Sequence, residues 1–160
     1  MGKKLREIVE VDKKEIIADL NRAYCDEWLA VYSYWYMAQT VSGPGYEDMK
    51  EFLEKTAKDE MEHAEEVADL IIKLGGTPTS HPMDLEKNAN APYPGVAKKT
   101  DDYDKIIKLV MDAEGGAIEA YNKIAKKTLG KDHNTYQLVT HIMSEEVTHE
   151  ETFENLLKSK

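Results

Sequence analysis

Two short runs place a carboxylate and an imidazole one helical turn apart: Glu60-Met61-Glu62-His63 and Glu146-Val147-Thr148-His149. In an α-helix, residues i and i+3 share a face, so each pair reaches a single metal ion together. Two further glutamates, Glu27 and Glu114, interrupt apolar stretches 33 residues before Glu60 and 32 before Glu146. One Glu-x-x-His in a Glu-rich helix is uninformative. Two of them, each preceded at matching distance by an isolated glutamate, specify six donors for two metal ions.

The elements that must position these groups are four long helices. Apolar periodicity and breakers predict them over about 12–41, 46–74, 101–129 and 133–157, with a crossover at about 75–100. Ser42-Gly43-Pro44-Gly45 ends the first, Gly75-Gly76 ends the second, and Asp101-Asp102 caps the third. The crossover carries Pro78, Pro82, Pro92 and Pro94, with one short helix expected around Met83–Asn88. Nothing in the chain reads as a strand. The stripe Met49, Leu53, Thr56, Glu60, His63, Val67, Leu70, Leu74 advances by alternating steps of four and three, and the other three helices keep the same rhythm. Stripes of this kind pack helices side by side. The expected fold is all-α: an antiparallel four-helix bundle with a long crossover between helices 2 and 3. Each of the four glutamates sits near its helix midpoint, so all four meet in one layer of the core.

Four ionised carboxylates buried together repel one another, and each costs several kcal/mol to desolvate. No Lys or Arg interrupts the stripes. Two divalent cations balance four glutamates while two neutral histidines complete the donor set, and mixed carboxylate and imidazole ligation suits iron or manganese. One Glu from each of two helices with Glu-x-x-His from the other two is the ligand layout of di-metal carboxylate bundles.

Composition narrows the rest. The chain has 160 residues, 41% hydrophobic and 32% charged, with a formal net charge of −10 at pH 7. That charge disfavours nucleic acid as a partner. No run approaches the roughly 20 apolar residues of a membrane span. One cysteine, Cys25, excludes a disulfide framework and a CxxC site, and reads as a buried small hydrophobe. The N-terminal stretch with Lys3, Lys4 and Arg6 reads as a solvated tail, lacks the apolar segment of a signal peptide, and leaves a cytoplasmic location as the expectation.

The layout resembles the ferritin-like superfamily over about residues 12–157. Asp59-Glu60-Met61-Glu62-His63-Ala64 is similar to the second-helix motif of bacterioferritins. The run from Asp112-Ala113-Glu114 through Tyr121, Gly130-Lys131-Asp132 and Thr135-Tyr136 to Glu145-Glu146 and His149-Glu150 is similar to Dps-like proteins of archaea and bacteria. The resemblance implies Glu27 and Glu114 as terminal ligands, Glu60 and Glu146 as bridging ligands, and His63 and His149 on one metal each. It implies a ferroxidase that binds two iron ions per subunit (manganese or zinc as substitutes), oxidises Fe(II) with hydrogen peroxide or O2, and stores or detoxifies the ferric product against oxidative stress. Met61 stands where bacterioferritins place a haem ligand, although haem b is disfavoured without a matching interface. The family's site cysteine is here Gly116, and the extra rubrerythrin glutamate is Ala117. The lack of a fifth helix favours a dodecamer or a dimer over a 24-mer, and the Dps-like resemblance implies a homo-oligomeric dodecameric shell rather than a dimer.

Tyr34 and Tyr121 each follow a lone glutamate by seven residues on the core stripe, where a hydroxyl can hold a ligand carboxylate. Trp28, Tyr32, Trp35 and Tyr36 lie off the stripe and are expected to pack against a neighbouring subunit. The alternatives carried forward are a rubrerythrin-like peroxidase or manganese catalase without iron storage, and a bacterioferritin with haem.

Overall fold

The computed structural model describes residues 3–158, which form six α-helices: α1 (Lys3–Ile8), α2 (Lys13–Thr40), α3 (Tyr46–Leu74), α4 (Leu85–Asn88), α5 (Tyr103–Thr128) and α6 (His133–Lys158). A 3-10 turn, Pro82–Asp84, leads into α4. Among the described residues there is no strand, and no helix is long and apolar enough to cross a membrane. The four long helices begin and end within two residues of the expected positions.

Their ends have local causes. The Asp12 carboxylate accepts from the amides of Lys14 and Glu15 to start α2, and Asp102 accepts from the Lys105 amide to start α5. At the base of α3, Gly75 takes a left-handed conformation (φ 92°) while its amide reaches back to the last turn. Gly76 follows with no room for a side chain. A Cβ there would lie 2.6 Å from Ile17 Cγ2 and 3.0 Å from Ile71 Cγ2, both on stiff β-branched residues. Gly76→Ala is therefore expected to cost about 1–3 kcal/mol and lower the melting temperature by several degrees. Gly116→Ala, where an added Cβ meets nothing within 4 Å, should be neutral or stabilising. Paired thermal melts check both.

Helix α2 packs on α3 and α5 on α6, and the hairpins meet along α2/α5 and α3/α6. The Ser42 amide bonds the Thr100 carbonyl at one end of α2, and the Glu10 amide bonds the Lys131 carbonyl at the other, so α2 and α5 run antiparallel. The core divides into two apolar clusters. One gathers Leu20, Val67, Ile71, Ile124 and Ile142; the other gathers Met37, Leu53, Ile107, Val110 and Phe153. Every long helix contributes to both, and in passing from one to the other it contributes its ionisable residues. The polar layer is a partition across the middle of the bundle.

One expectation is corrected here. The N-terminal stretch is not a solvated tail: α1 forms a turn and a half, Val9 is buried, and Leu5 and Val11 pack on the core. Six residues carry too little periodicity to announce a helix that only tertiary burial stabilises.

Candidate metal centre

Glu27 on α2, Glu60 and His63 on α3, Glu114 on α5, and Glu146 and His149 on α6 are all buried. They fall into two overlapping sets. Donor atoms of Glu27, Glu60, His63 and Glu146 lie within 4.8 Å of one another, as do those of Glu60, Glu114, Glu146 and His149. Glu60 and Glu146 belong to both. The Nδ1 atoms of the histidines face this layer: His63 Nδ1 is 3.2 Å from Glu60 Oε2 and 3.0 Å from Glu146 Oε1, and His149 Nδ1 is 3.2 Å from Glu114 Oε2.

Even so, Glu60 Oε1 and both oxygens of Glu146 find no hydrogen-bond donor in suitable geometry. Buried carboxylate oxygens rarely go unsatisfied. Three of the four oxygens of the two shared glutamates do, which is where cations shared by the sets would be coordinated. The residues present thus fit two divalent ions on chemical grounds: four carboxylates, two imidazoles, and orphaned oxygens at the common positions.

The tyrosines behave in a way that spacing alone does not dictate. Tyr34 on α2 donates to Glu114 Oε1 on α5 at 2.6 Å, and Tyr121 on α5 donates to Glu27 Oε1 on α2. Each phenol holds the lone glutamate of the opposite hairpin. The outer nitrogens of the histidines are tied by a second reciprocal pair. His63 Nε2 meets Glu145 on α6 at 2.9 Å, and His149 Nε2 meets Asp59 on α3 at 3.2 Å. Carboxylates behind a ligating imidazole fix its ring orientation and raise its basicity. The sequence reading gave Asp59 and Glu145 no role, although each directly precedes a stripe glutamate.

In the metal-free state charge is redistributed across the layer. Burial, reinforced by Glu146 and Glu60, holds Glu27 well above the ordinary carboxylate range, and burial with Glu60 does the same to Glu114. Burial opposes charge on the histidines, but hydrogen bonds to the carboxylates outweigh it and push both His63 and His149 up to about 12. Glu146 drops to about 2: burial works against its ionisation, and the proximity of the His149 and His63 imidazoles, 3.5 and 3.0 Å away, prevails. Two histidines pushed up thus face one carboxyl pushed down and two pushed up across the same layer.

Two openings lead to the layer. On the histidine side, a cleft of about 320 Å³ is walled by Asp59, Glu62, Glu66 and Glu145 with His141 and Lys55. On the other side, a cavity of about 310 Å³ opens between α2, α5 and the crossover and reaches Glu27, Glu60, Glu114 and Glu146. Cys25 is fully buried and its thiol is pushed up by burial. Met61 is exposed beside Glu60. Tyr32, Trp35 and Tyr36 are exposed too, and Tyr32 stacks obliquely on both neighbours and on Tyr93 of the crossover, with ring centroids 6.2–6.3 Å apart.

Comparison with known proteins gives consistent results. The ferritin-like domain family matches residues 17–159. The DNA protection during starvation protein of Pyrococcus furiosus is 30% identical over 166 residues, covering 99% of this chain and 85% of its own. The bacterioferritin of Desulfovibrio desulfuricans is 30% identical over 146 residues, 90% of this chain and 75% of its own. Among solved structures, the dodecameric thioferritin of Bacteroides fragilis, a bacterioferritin-related protein, superposes with a TM-score of 0.93 at 33% identity, covering 99% of this chain and 94% of the other.

Proposed function

The chain belongs to the ferritin-like family, and from that premise we propose that residues 1–160 act as one ferritin-like domain that oxidises Fe(II) at a centre of two metal ions and retains the ferric product. Glu27, Glu60, His63 and Glu146 hold one ion, and Glu60, Glu114, Glu146 and His149 the other. The observation that carries this reading is the sharing of Glu60 and Glu146 between two donor sets, with three of the four oxygens of these shared glutamates lacking a donor. A lone cation needs one set. Two overlapping sets suit a pair of ions emptied and refilled together.

The substrate is Fe(II), and its route in is the acidic cleft, where Asp59, Glu62, Glu66 and Glu145 concentrate cations ahead of the histidines. Each Fe(II) gives up one electron. Hydrogen peroxide takes both electrons with two protons and leaves as two waters; O2 taking the same electrons and protons leaves as peroxide. The protein fixes the ion spacing through the shared glutamates and favours the higher charge of Fe(III) with four carboxylates. Tyr34 and Tyr121 keep Glu114 and Glu27 from swinging out of place. Asp59 and Glu145 hold the imidazoles with Nδ1 inward.

For the product to be stored, subunits must enclose space, and we propose a homo-oligomeric shell, dodecameric like the Bacteroides fragilis thioferritin. The exposed Tyr32, Trp35 and Tyr36 supply an aromatic contact surface of the kind that subunit interfaces bury.

The test is Fe(II) addition to purified protein, anaerobically and with peroxide or O2, followed by the ferric absorbance and by iron per subunit after gel filtration. Retention of many more irons than the two-ion centre holds, in a particle much larger than a dimer, is the expected result. Peroxide consumption with only about two irons retained per subunit would replace storage by peroxidase turnover. Absence of stoichiometric metal binding would overturn the reading.

A further inference from the structure

The two openings to the polar layer differ in chemistry: the cleft on the histidine side is lined by charged and polar side chains, whereas the other adds an apolar wall to its carboxylates. The cavity on the crossover side is walled by Leu29, Ala30, Leu109, Ala113 and Ala117 and roofed by the 90–94 segment, which includes Pro92 and Pro94. We propose that this cavity is a binding site for a small uncharged organic molecule of single-ring size, lying against the apolar wall with one edge toward the carboxylates.

Size is the first argument. Water occupies about 30 Å³ in the liquid, and an apolar protein cavity of about 150 Å³ takes up benzene. At about 310 Å³ the space far exceeds what peroxide or O2 requires and matches a substituted ring. Charge is the second. Glu27, Glu60, Glu114 and Glu146 line the cavity together with Asp26 and Asp112, which repels anions, while the apolar wall of Leu29, Ala30, Leu109, Ala113 and Ala117 gains from being covered by a ring rather than by water or a hydrated ion.

The roof is built in place. The Asp26 carboxylate accepts from the Asn90 amide at 2.8 Å, from the Ala91 amide at 3.3 Å and from the Asn90 side chain. Ser33 Oγ donates to the Gly95 carbonyl at 2.6 Å. These bonds pin both ends of the 90–95 strap to α2, so the cavity exists before any ligand arrives and little ordering remains to oppose binding. Gly116, also in the lining, adds no side chain to fill the space.

The inference goes beyond the proposed oxidation and needs no metal, so it is tested on metal-free full-length protein, where failure of the iron reading cannot decide it. The probes are p-cresol and, as an anion of the same shape, 4-methylbenzoate. Isothermal titration should show saturable binding of p-cresol and binding of the anion weaker by at least about tenfold. Methyl-resolved NMR should place the p-cresol shifts on Leu29, Leu109, Ala113 and Ala117. Absence of saturable p-cresol binding, shifts confined to other methyl groups, or equal affinity for the anion would each overturn the assignment.

Discussion

Glu60→Ala and Glu146→Ala are expected to lose both metal ions and to slow Fe(II) oxidation by more than about 100-fold, because altering only the groups behind metal ligands costs 10–100-fold. Glu27→Ala and Glu114→Ala should each lose one ion. The asymmetry follows from the overlap: Glu27 belongs to one donor set and Glu114 to the other, whereas Glu60 and Glu146 serve both. Cobalt(II) titrations, read by absorbance and by metal per subunit, separate the two classes. Circular dichroism shows whether the helices persist, since two apolar clusters flank the layer and do not depend on it. If Glu60→Ala bound two ions and oxidised iron at the parent rate, the placement of the centre would be wrong.

The second large effect is on protons. Without metal, His63 and His149 carry their protons up to about pH 12, and Glu27 and Glu114 stay neutral well above the usual carboxylate range. Metal ligation requires neutral imidazoles and ionised carboxylates. Loading two divalent ions near pH 7 should therefore release at least two protons per subunit, one from each histidine. Calorimetry in buffers of different ionisation enthalpy measures the number, and a value near zero would contradict this charge arrangement.

Stability of the metal-free protein follows in sign. The raised histidines stabilise the fold fully below their ordinary 6.5, and that contribution drains away as pH rises from 6.5 toward 12. Glu27 and Glu114, whose ordinary value is 4.5, add a penalty that grows in the same upward direction. Glu146 acts oppositely: its stabilisation is present above 4.5 and lost as pH falls toward 2. These groups alone place the metal-free optimum near pH 4.5, with a decline that steepens above 6.5. Several degrees of melting temperature should be lost per pH unit there. Bound Zn(II) should abolish or reverse the trend.

The six candidate ligands were legible in the sequence because each breaks an apolar stripe at a position where burial would otherwise be costly. Helical periodicity fixes which residues face the core, so the layer and the bundle followed from local information. What did not follow was anything that depends on how one hairpin is rotated against the other. Spacing put Tyr34 two turns from Glu27 on its own helix, yet its hydroxyl goes to Glu114. Asp59 and Glu145 had no partner that spacing could name until α3 and α6 were brought side by side. The apolar cavity under the crossover was likewise invisible, being made by a segment with no periodicity and fastened by Asp26.

The crossed phenols and crossed carboxylates have a further meaning. The α2–α3 hairpin brings a lone glutamate, a tyrosine seven residues on, and an Asp-Glu-x-x-His run; the α5–α6 hairpin brings the same inventory with Glu145 in place of Asp59. The bonds made by the two phenols and by the outer histidine nitrogens all run from one half to the other, and each has its mirror counterpart. Two identical hairpins docked about a twofold axis would build the same layer with nothing missing. The monomer thus has the logic of a fused homodimer. In that description the proline-rich crossover is the fusion joint, and it is the one long segment without a counterpart, free to acquire a task of its own.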